Sequence, residues 1–324
     1  MKKEVILIPN AIKPHELAAL KEVASESEFI LCDKQHPATL EQLEKATVIF
    51  GNVSPAELKQ AKNLKWIQTH SAGVDPYCKP GILAKGAVIT NATGAYGMPI
   101  SEYMVGTVLA FYKNLLKYKE RQSQAIWSNV GHIKYVENTK VLCIGLGDIG
   151  SNFAKRMKKL GAYTMGIKRT VANKPEYMDE LYTSEQLKEV LPKADIIALS
   201  LPRTSDTIHL INKEMLELMK DDALIINVGR GEAIDTNALV ACLQSGKLMG
   251  AALDVFEQEP LPSDHPLWQM ENVLITPHVS GGNYDKETGD IVFHLTYSNF
   301  KRYFNDEPLE NIVDLATGYK VSNS

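Results

Sequence analysis

Three residue types that together grip a carboxylate and move a proton stand at the ends of three strand-like runs. Arg230 lies in Asn227-Val228-Gly229-Arg230-Gly231, after the apolar run 223–228. Glu257 and Glu259 lie in Asp254-Val255-Phe256-Glu257-Gln258-Glu259-Pro260-Leu261, after the run 250–254. His278 lies in Thr276-Pro277-His278-Val279-Ser280-Gly281-Gly282, after the run 273–276. In an open parallel sheet, ligands bind beyond the carboxyl ends of the strands, so the three turns are expected to overlook one place. A guanidinium there can hold a substrate carboxylate and stabilise charge developing on a carbonyl oxygen. An imidazole can give that oxygen its proton. A carboxylate on the far ring nitrogen orients the imidazole and stabilises its charged form. This is the equipment for reducing a 2-oxo acid by hydride transfer, provided a nicotinamide cofactor carries the hydride.

A place for such a cofactor is legible upstream. Gly145-Leu146-Gly147-Asp148-Ile149-Gly150 is a G-x-G-x-x-G run that follows the apolar run 141–144 and precedes a helical pattern over 151–160, ended by Gly161. The context matters more than the glycines alone. Gly145 permits a tight turn, Gly147 lets the backbone approach a pyrophosphate, and Gly150 lets helix and strand pack closely. Asp148 and Ile149 open the helix, whose free N–H groups favour phosphate. The next strand is expected to end beside the adenosine ribose. An acid there suits the 2′-hydroxyl of NAD(H), but this chain has Lys168, Arg169 and Thr170. Two cations and a hydroxyl attract a 2′-phosphate instead, so NADP(H) is favoured and NAD(H) remains possible. Val228, Gly229, Asp254 and Gly281 are expected near the nicotinamide end, with Asp254 as an acceptor for its carboxamide.

These turns need strands to position them. Short apolar runs at 5–8, 47–50, 64–69 and 88–90 form a first series, and runs at 141–145, 163–167, 196–199, 223–228, 250–254 and 273–276 form a second. Helical patterns sit between them, which implies parallel sheets covered on both faces. Ser54-Pro55-Ala56-Glu57 has the form of a capping box. One long helix is expected over 99–119, an irregular stretch over 121–138 with Trp127 and Tyr135 as interface or core aromatics, and a last helix over 283–303. The expected fold is α/β with two doubly wound domains. A Rossmann dinucleotide-binding domain, 98–285, is inserted in a flavodoxin-like substrate domain made of 1–97 and 286–324.

Composition narrows the class. With 324 residues, 44% hydrophobic and 23% charged, the chain can fill two globular cores. A net charge of −4 argues against nucleic acid or anionic membrane as a partner. The apolar run 5–8 is too short for a signal-peptide core, and no run reaches the ~20 residues of a membrane helix. Cys32, Cys78, Cys143 and Cys242 are scattered, without metal-ligand or disulfide spacing, so a metal-free cytoplasmic protein is expected.

Taken together, Ser71-Ala72-Gly73-Val74-Asp75, the Gly145–Gly150 turn, 227–231, 254–260 and Pro277-His278 resemble the D-isomer-specific 2-hydroxyacid dehydrogenase family, in the family's order and across most of the chain. The resemblance implies Arg230, Glu259 and His278 as catalytic residues. It also implies backbone N–H groups of Ala72, Gly73 and Val74 as the grip on the substrate carboxylate, alongside Arg230. It further implies a homodimer formed through the cofactor domain and a substrate cleft between domains. The stretch 166–169 resembles the NADPH-using glyoxylate/hydroxypyruvate reductase-like subgroup. The expected activity is reduction of a small 2-oxo acid to its D-2-hydroxy acid. The alternatives are a D-3-phosphoglycerate dehydrogenase-like enzyme and a cofactor-sensing corepressor-like binding protein. Formate dehydrogenases, which share the fold, resemble a pattern with Gln where this chain has Glu259.

Overall fold

The computed structural model describes residues 2–169, 173–282, 286–318 and 320–321. Internal contacts divide the chain into two units, Met1–Tyr96 with Asn283–Ser324, and Gly97–Gly282.

In the first unit, β1 (Val5–Ile8), β2 (Glu28–Leu31), β3 (Val48–Phe50), β4 (Trp66–Gln68) and β5 (Val88–Thr90) form one parallel sheet in the order β2-β1-β3-β4-β5. Successive side chains of a strand point to opposite faces. Leu7, Ile49 and Ile67 therefore enter one core, with Ile30 and Ile89. Ile6, Ile8, Val48, Phe50 and Trp66 enter the other, with Phe300 and Phe304 from the C-terminal helix Lys286–Phe304. The returning helix thus supplies the apolar cover that one face needs. Trp66 donates its indole N–H to Thr90 Oγ1 (2.9 Å), and Asn299 reaches Gln68 Oε1 (2.8 Å), so the polar atoms buried on that face are paired. The short helix Pro55–Leu58 starts on the Ser54/Glu57 capping box, with both reciprocal bonds made.

The second unit holds β6 (Lys140–Ile144), β7 (Tyr163–Lys168), β8 (Glu180–Thr183), β9 (Ile196–Leu199), β10 (Leu224–Asn227), β11 (Gly250–Leu253) and β12 (Val273–Ile275). All pair in parallel in the order β12-β11-β10-β9-β6-β7-β8. This is the doubly wound dinucleotide-binding arrangement, with its topological switch between β6 and β9. Strands β6, β9, β10 and β11 are buried almost throughout, as a sheet covered on both faces requires.

The sequence pattern misses two strands, β2 and β8. Both are edge strands: β8 is only half-buried along its length and has no continuous apolar run, whereas β2 carries a short one, Phe29-Ile30-Leu31-Cys32, as long as that of β1. The helix expected over 99–119 is two helices, Gly97–Tyr112 and Leu115–Ser123. The break falls at Asn114, whose φ of 54° is left-handed and whose side chain donates to the His132 carbonyl (2.9 Å) rather than capping the second helix. Helix propensity continues across the break, but the second helix has no buried residue to hold it in line.

Candidate active site

The glycine turn joins β6 to the helix Asp148–Lys159 at the switch point. Gly145 has a φ of +95°, and a Cβ there would stand 2.9 Å from the Ser200 carbonyl oxygen. A Cβ on Gly150 would fall 1.9 Å from the Gly145 carbonyl oxygen, so strand and helix could not close up. Around Gly147, by contrast, nothing lies within 4 Å. Two glycines thus serve protein packing, while the third faces open space at a helix N-terminus. That is the space and polarity a pyrophosphate needs, so the residues fit a dinucleotide. Lys168 ends the neighbouring strand β7 and exposed Arg169 follows it, with no carboxylate between. Thr170 lies outside the described residues.

Arg230 sits just past β10, between two glycines whose lack of side chains is forced. A Cβ on Gly229 would meet the Leu201 backbone at 2.6 Å, and one on Gly231 would meet the Phe256 carbonyl carbon at 1.8 Å. The Arg230 turn is therefore wedged between the loops that follow β9 and β11. Asn227 fixes it from within: its Nδ2 donates to the Arg230 carbonyl (2.9 Å) and its Oδ1 accepts from Gly229 N–H (3.1 Å). The guanidinium donates to the Gly229 carbonyl (2.8 Å). Val228 is buried behind this turn.

Glu259 and His278 meet directly, with Glu259 Oε2 2.8 Å from His278 Nδ1. The other carboxylate oxygen accepts the Phe256 N–H (3.0 Å), which sets the plane of the carboxylate. Both side chains are partly open to solvent, and Nε2 of His278 has no hydrogen-bond partner among the described residues. Glu257 faces elsewhere. It binds His209 Nε2 at 2.5 Å and accepts the Thr236 N–H at 2.9 Å. That contact raises the His209 pKa above its ordinary value, and the donors from Thr236 and His209 draw Glu257 below its own against the effect of burial.

His278 has a φ of 54°, a left-handed conformation that costs a non-glycine residue about 1 kcal/mol or more. Asp254 holds it there. The Asp254 carbonyl accepts the His278 N–H (2.9 Å). Its buried carboxylate accepts the N–H of Val279 (2.9 Å) and Ser280 (3.1 Å) and the hydroxyls of Ser280 (2.5 Å) and Thr276 (2.6 Å). Because Thr276 spends its proton on Asp254, Tyr103 must donate to Thr276 Oγ1 (2.8 Å). Burial pushes the Tyr103 phenol up to about 12, in keeping with that donor role. Tyr103 lies 173 residues from Thr276, and no local pattern singles it out. Gly281 closes the same turn, where Gly282 N–H bonds the Val279 carbonyl (2.9 Å).

In the first unit, the loop after β4 turns its carbonyls inward. Thr69 Oγ1 and Ala92 N–H donate to the Ser71 carbonyl (2.9 and 3.0 Å), Asn91 to that of Ala72 (2.7 Å), Ser71 Oγ to that of Gly73 (2.9 Å) and Tyr77 N–H to that of Val74 (2.9 Å). The N–H groups of Ala72, Gly73 and Val74 donate to nothing among the described residues. Amides left without a partner on a loop whose carbonyls are occupied have hydrogen bonds to offer an anion. The structure thus gathers Arg230, Glu259, His278 and Asp254 on adjoining turns of one sheet, and presents the Ala72–Val74 amides on the loop of the other unit.

Residues 105–280 match the family described as D-isomer specific 2-hydroxyacid dehydrogenase, NAD binding domain. A glyoxylate reductase of Thermofilum pendens is 34% identical over 69% of this chain and 68% of its own. A D-3-phosphoglycerate dehydrogenase of Methanocaldococcus jannaschii is 30% identical over 96% of this chain and 59% of its own. Among solved structures, the NADPH-dependent glyoxylate/hydroxypyruvate reductase of Sinorhizobium meliloti, in complex with NADP and sulfate, superposes with a TM-score of 0.82 at 25% identity, covering 98% of this chain and 100% of that one.

Proposed function

Because this chain belongs to the D-isomer-specific 2-hydroxyacid dehydrogenase family of NAD(P)-dependent oxidoreductases, we propose that it reduces a small 2-oxo acid of the glyoxylate/hydroxypyruvate kind to the D-2-hydroxy acid, using NADPH. The observation that carries this reading is the Glu259–His278 contact at 2.8 Å, on turns that adjoin Arg230. When bound, the cofactor supplies the hydride. The open backbone at Gly147 and the helix N-terminus beyond it hold its phosphates, and Lys168 and Arg169 hold the 2′-phosphate. The NADP complex of the Sinorhizobium meliloti relative supports that preference.

The substrate carboxylate accepts hydrogen bonds from the Ala72, Gly73 and Val74 amides. Arg230 supports it and polarises the keto oxygen. His278 gives its Nε2 proton to that oxygen while Glu259, on Nδ1, fixes the ring and stabilises the charge it carries beforehand. In the oxidative direction the same nitrogen takes the proton back. Asp254 acts through the loop rather than on the substrate.

The working form is a homodimer. Ile126, Trp127, Ile133 and Tyr135 stand exposed along one segment of the second unit, which rules out the core for Trp127 and Tyr135 and leaves an apolar surface that a second copy would cover. The enzyme works in the cytoplasm, where its four unbridged cysteines stay reduced. A second reading, oxidation of a phosphorylated hydroxy acid, is favoured by the Methanocaldococcus jannaschii relative.

The test is consumption of NADPH and of NADH with glyoxylate, hydroxypyruvate and 3-phosphohydroxypyruvate, repeated with His278→Ala. We expect NADPH to be used with the first two. The variant should lose roughly 10²–10⁴-fold in kcat with cofactor affinity little changed. A near-normal kcat refutes the role of His278, and preference for the phosphorylated acid supports the second reading.

A further inference from the structure

A cleft of about 500 Å³ opens in the first unit, and the reading above leaves it unused. It lies beyond the carboxyl ends of β1 and β3, where the strand order of the five-stranded sheet reverses. That is where open α/β sheets take ligands. Asn10, Lys13, Phe50, Asn52, His70 and Val292 are among its walls, and Ser71 joins it to the Ala72–Val74 loop. A two-carbon acid would leave most of this space empty, since pockets of this size hold much larger ligands.

The charges of the cleft are spent. Lys13 Nζ lies 2.6 Å from Asp290 and 3.3 Å from Glu16, so one ammonium faces two carboxylates. His70 adds no cation. Its Nε2 is shut off from solvent without a hydrogen-bond partner, and burial pushes its pKa down to about 4. What remains is neutral: apolar side chains that include Ile8, Ile12, Phe50 and Val292, and two exposed amides among them. Asn52 Oδ1 accepts the His70 N–H (2.9 Å), while its Nδ2 and the whole Asn10 amide bond to nothing among the described residues. Both amides can donate and, since an amide oxygen has two lone pairs, both can also accept, which suits hydroxyls. An alkyl chain would strip water from these amides without replacing its bonds. A carboxylate or phosphate would find no uncommitted cation, because the Lys13 ammonium is already held by Asp290 and Glu16.

We propose that this cleft receives the part of a 2-oxo acid beyond its keto carbon, and selects an uncharged, hydroxyl-bearing chain over one that ends in carboxylate or phosphate. The proposal rests on the Ala72–Val74 amides holding the substrate carboxylate.

Three four-carbon acids of equal chain length test it with NADPH: 4-hydroxy-2-oxobutyrate, 2-oxobutyrate and oxaloacetate, with glyoxylate as reference. We expect kcat/KM to be highest for the hydroxylated acid and at least about tenfold lower for oxaloacetate. Asp290→Asn frees Lys13 in part and should narrow that gap roughly two- to fivefold, as for a solvent-screened pair. Glu16→Gln serves as a second variant if the first lowers Tm. Asn10→Leu should move preference from 4-hydroxy-2-oxobutyrate toward 2-oxobutyrate. If glyoxylate is reduced but oxaloacetate equals or exceeds the hydroxylated acid, or neither charge variant changes the gap, the cleft assignment is overturned while the enzyme reading stands. If no acid in the set is reduced, both fall together.

Discussion

Replacing Asp254 by Asn separates two roles that one carboxylate could play. In the structure both oxygens are occupied by the loop that carries His278: Oδ1 by the Thr276 hydroxyl and the Val279 N–H, Oδ2 by the Ser280 hydroxyl and N–H. Asparagine keeps one acceptor oxygen and offers an NH₂ in place of the other. The best accommodation puts that NH₂ toward Ser280 Oγ, which can turn to accept. Two charge-assisted bonds are then lost or weakened, each worth roughly 1.5–3 kcal/mol, for a total of about 3 kcal/mol. For a domain of this size that lowers Tm by roughly 6–12 °C. Because these bonds hold His278 in its left-handed conformation, the imidazole should drift, and a shift of about 1 Å costs roughly 100-fold in kcat. The assay pairs a thermal melt with steady-state kinetics and direct NADPH binding. The expected pattern is lower Tm, lower kcat and nearly unchanged NADPH affinity. Unchanged Tm with weakened NADPH binding would refute the loop-holding argument and return Asp254 to the nicotinamide carboxamide.

Other expectations follow from single residues. His70 has its pKa depressed to about 4 against an ordinary 6.5, so the unfolded chain takes up the proton first as pH falls. Its contribution to stability is complete above pH 6.5 and is lost as pH drops toward 4, about 2 kcal/mol being gone by pH 5. Urea unfolding of wild type and His70→Gln at pH 7 and pH 5 should show wild type losing that much more, and parallel losses count against burial as the cause. Lys168→Asp should raise KM for NADPH by roughly 10- to 100-fold and leave that for NADH flat or lower; equal effects on both cofactors exclude a 2′-phosphate contact. Gly231→Ala drives a methyl into the Phe256 backbone and should cost about 1–3 kcal/mol with a loss of Arg230-dependent turnover. Gly147→Ala, with open space around it, should instead keep Tm and weaken NADPH binding; a large fall in Tm for Gly147→Ala contradicts that assignment.

Much of this protein is legible in local sequence. The strand–glycine–helix turn at 141–160, the central strands and the Ser54 capping box are short-range patterns, set by backbone sterics and by the alternation of buried side chains. The strands that carry Arg230, Glu259 and His278 are central or beside central ones, so their apolar runs mark the turns that follow. Strand β8 leaves no such mark, because a half-exposed strand needs no continuous apolar run.

What each polar side chain meets was decided only by tertiary structure. Glu257 and Glu259 are two residues apart and chemically identical, yet one binds His209 and the other His278. Asp254 reads as a ligand contact from its place at a strand end, but four donors from the His278 loop converge on it. Tyr103 joins that network from another helix, and the cleft beyond β1 and β3 draws its walls from both ends of the chain. Hydrogen bonds and ion pairs act over about 3 Å in space and are indifferent to separation along the chain. Residue type and periodicity therefore define which elements form and which chemistry is on offer, while the packing of those elements selects the partner each group finds.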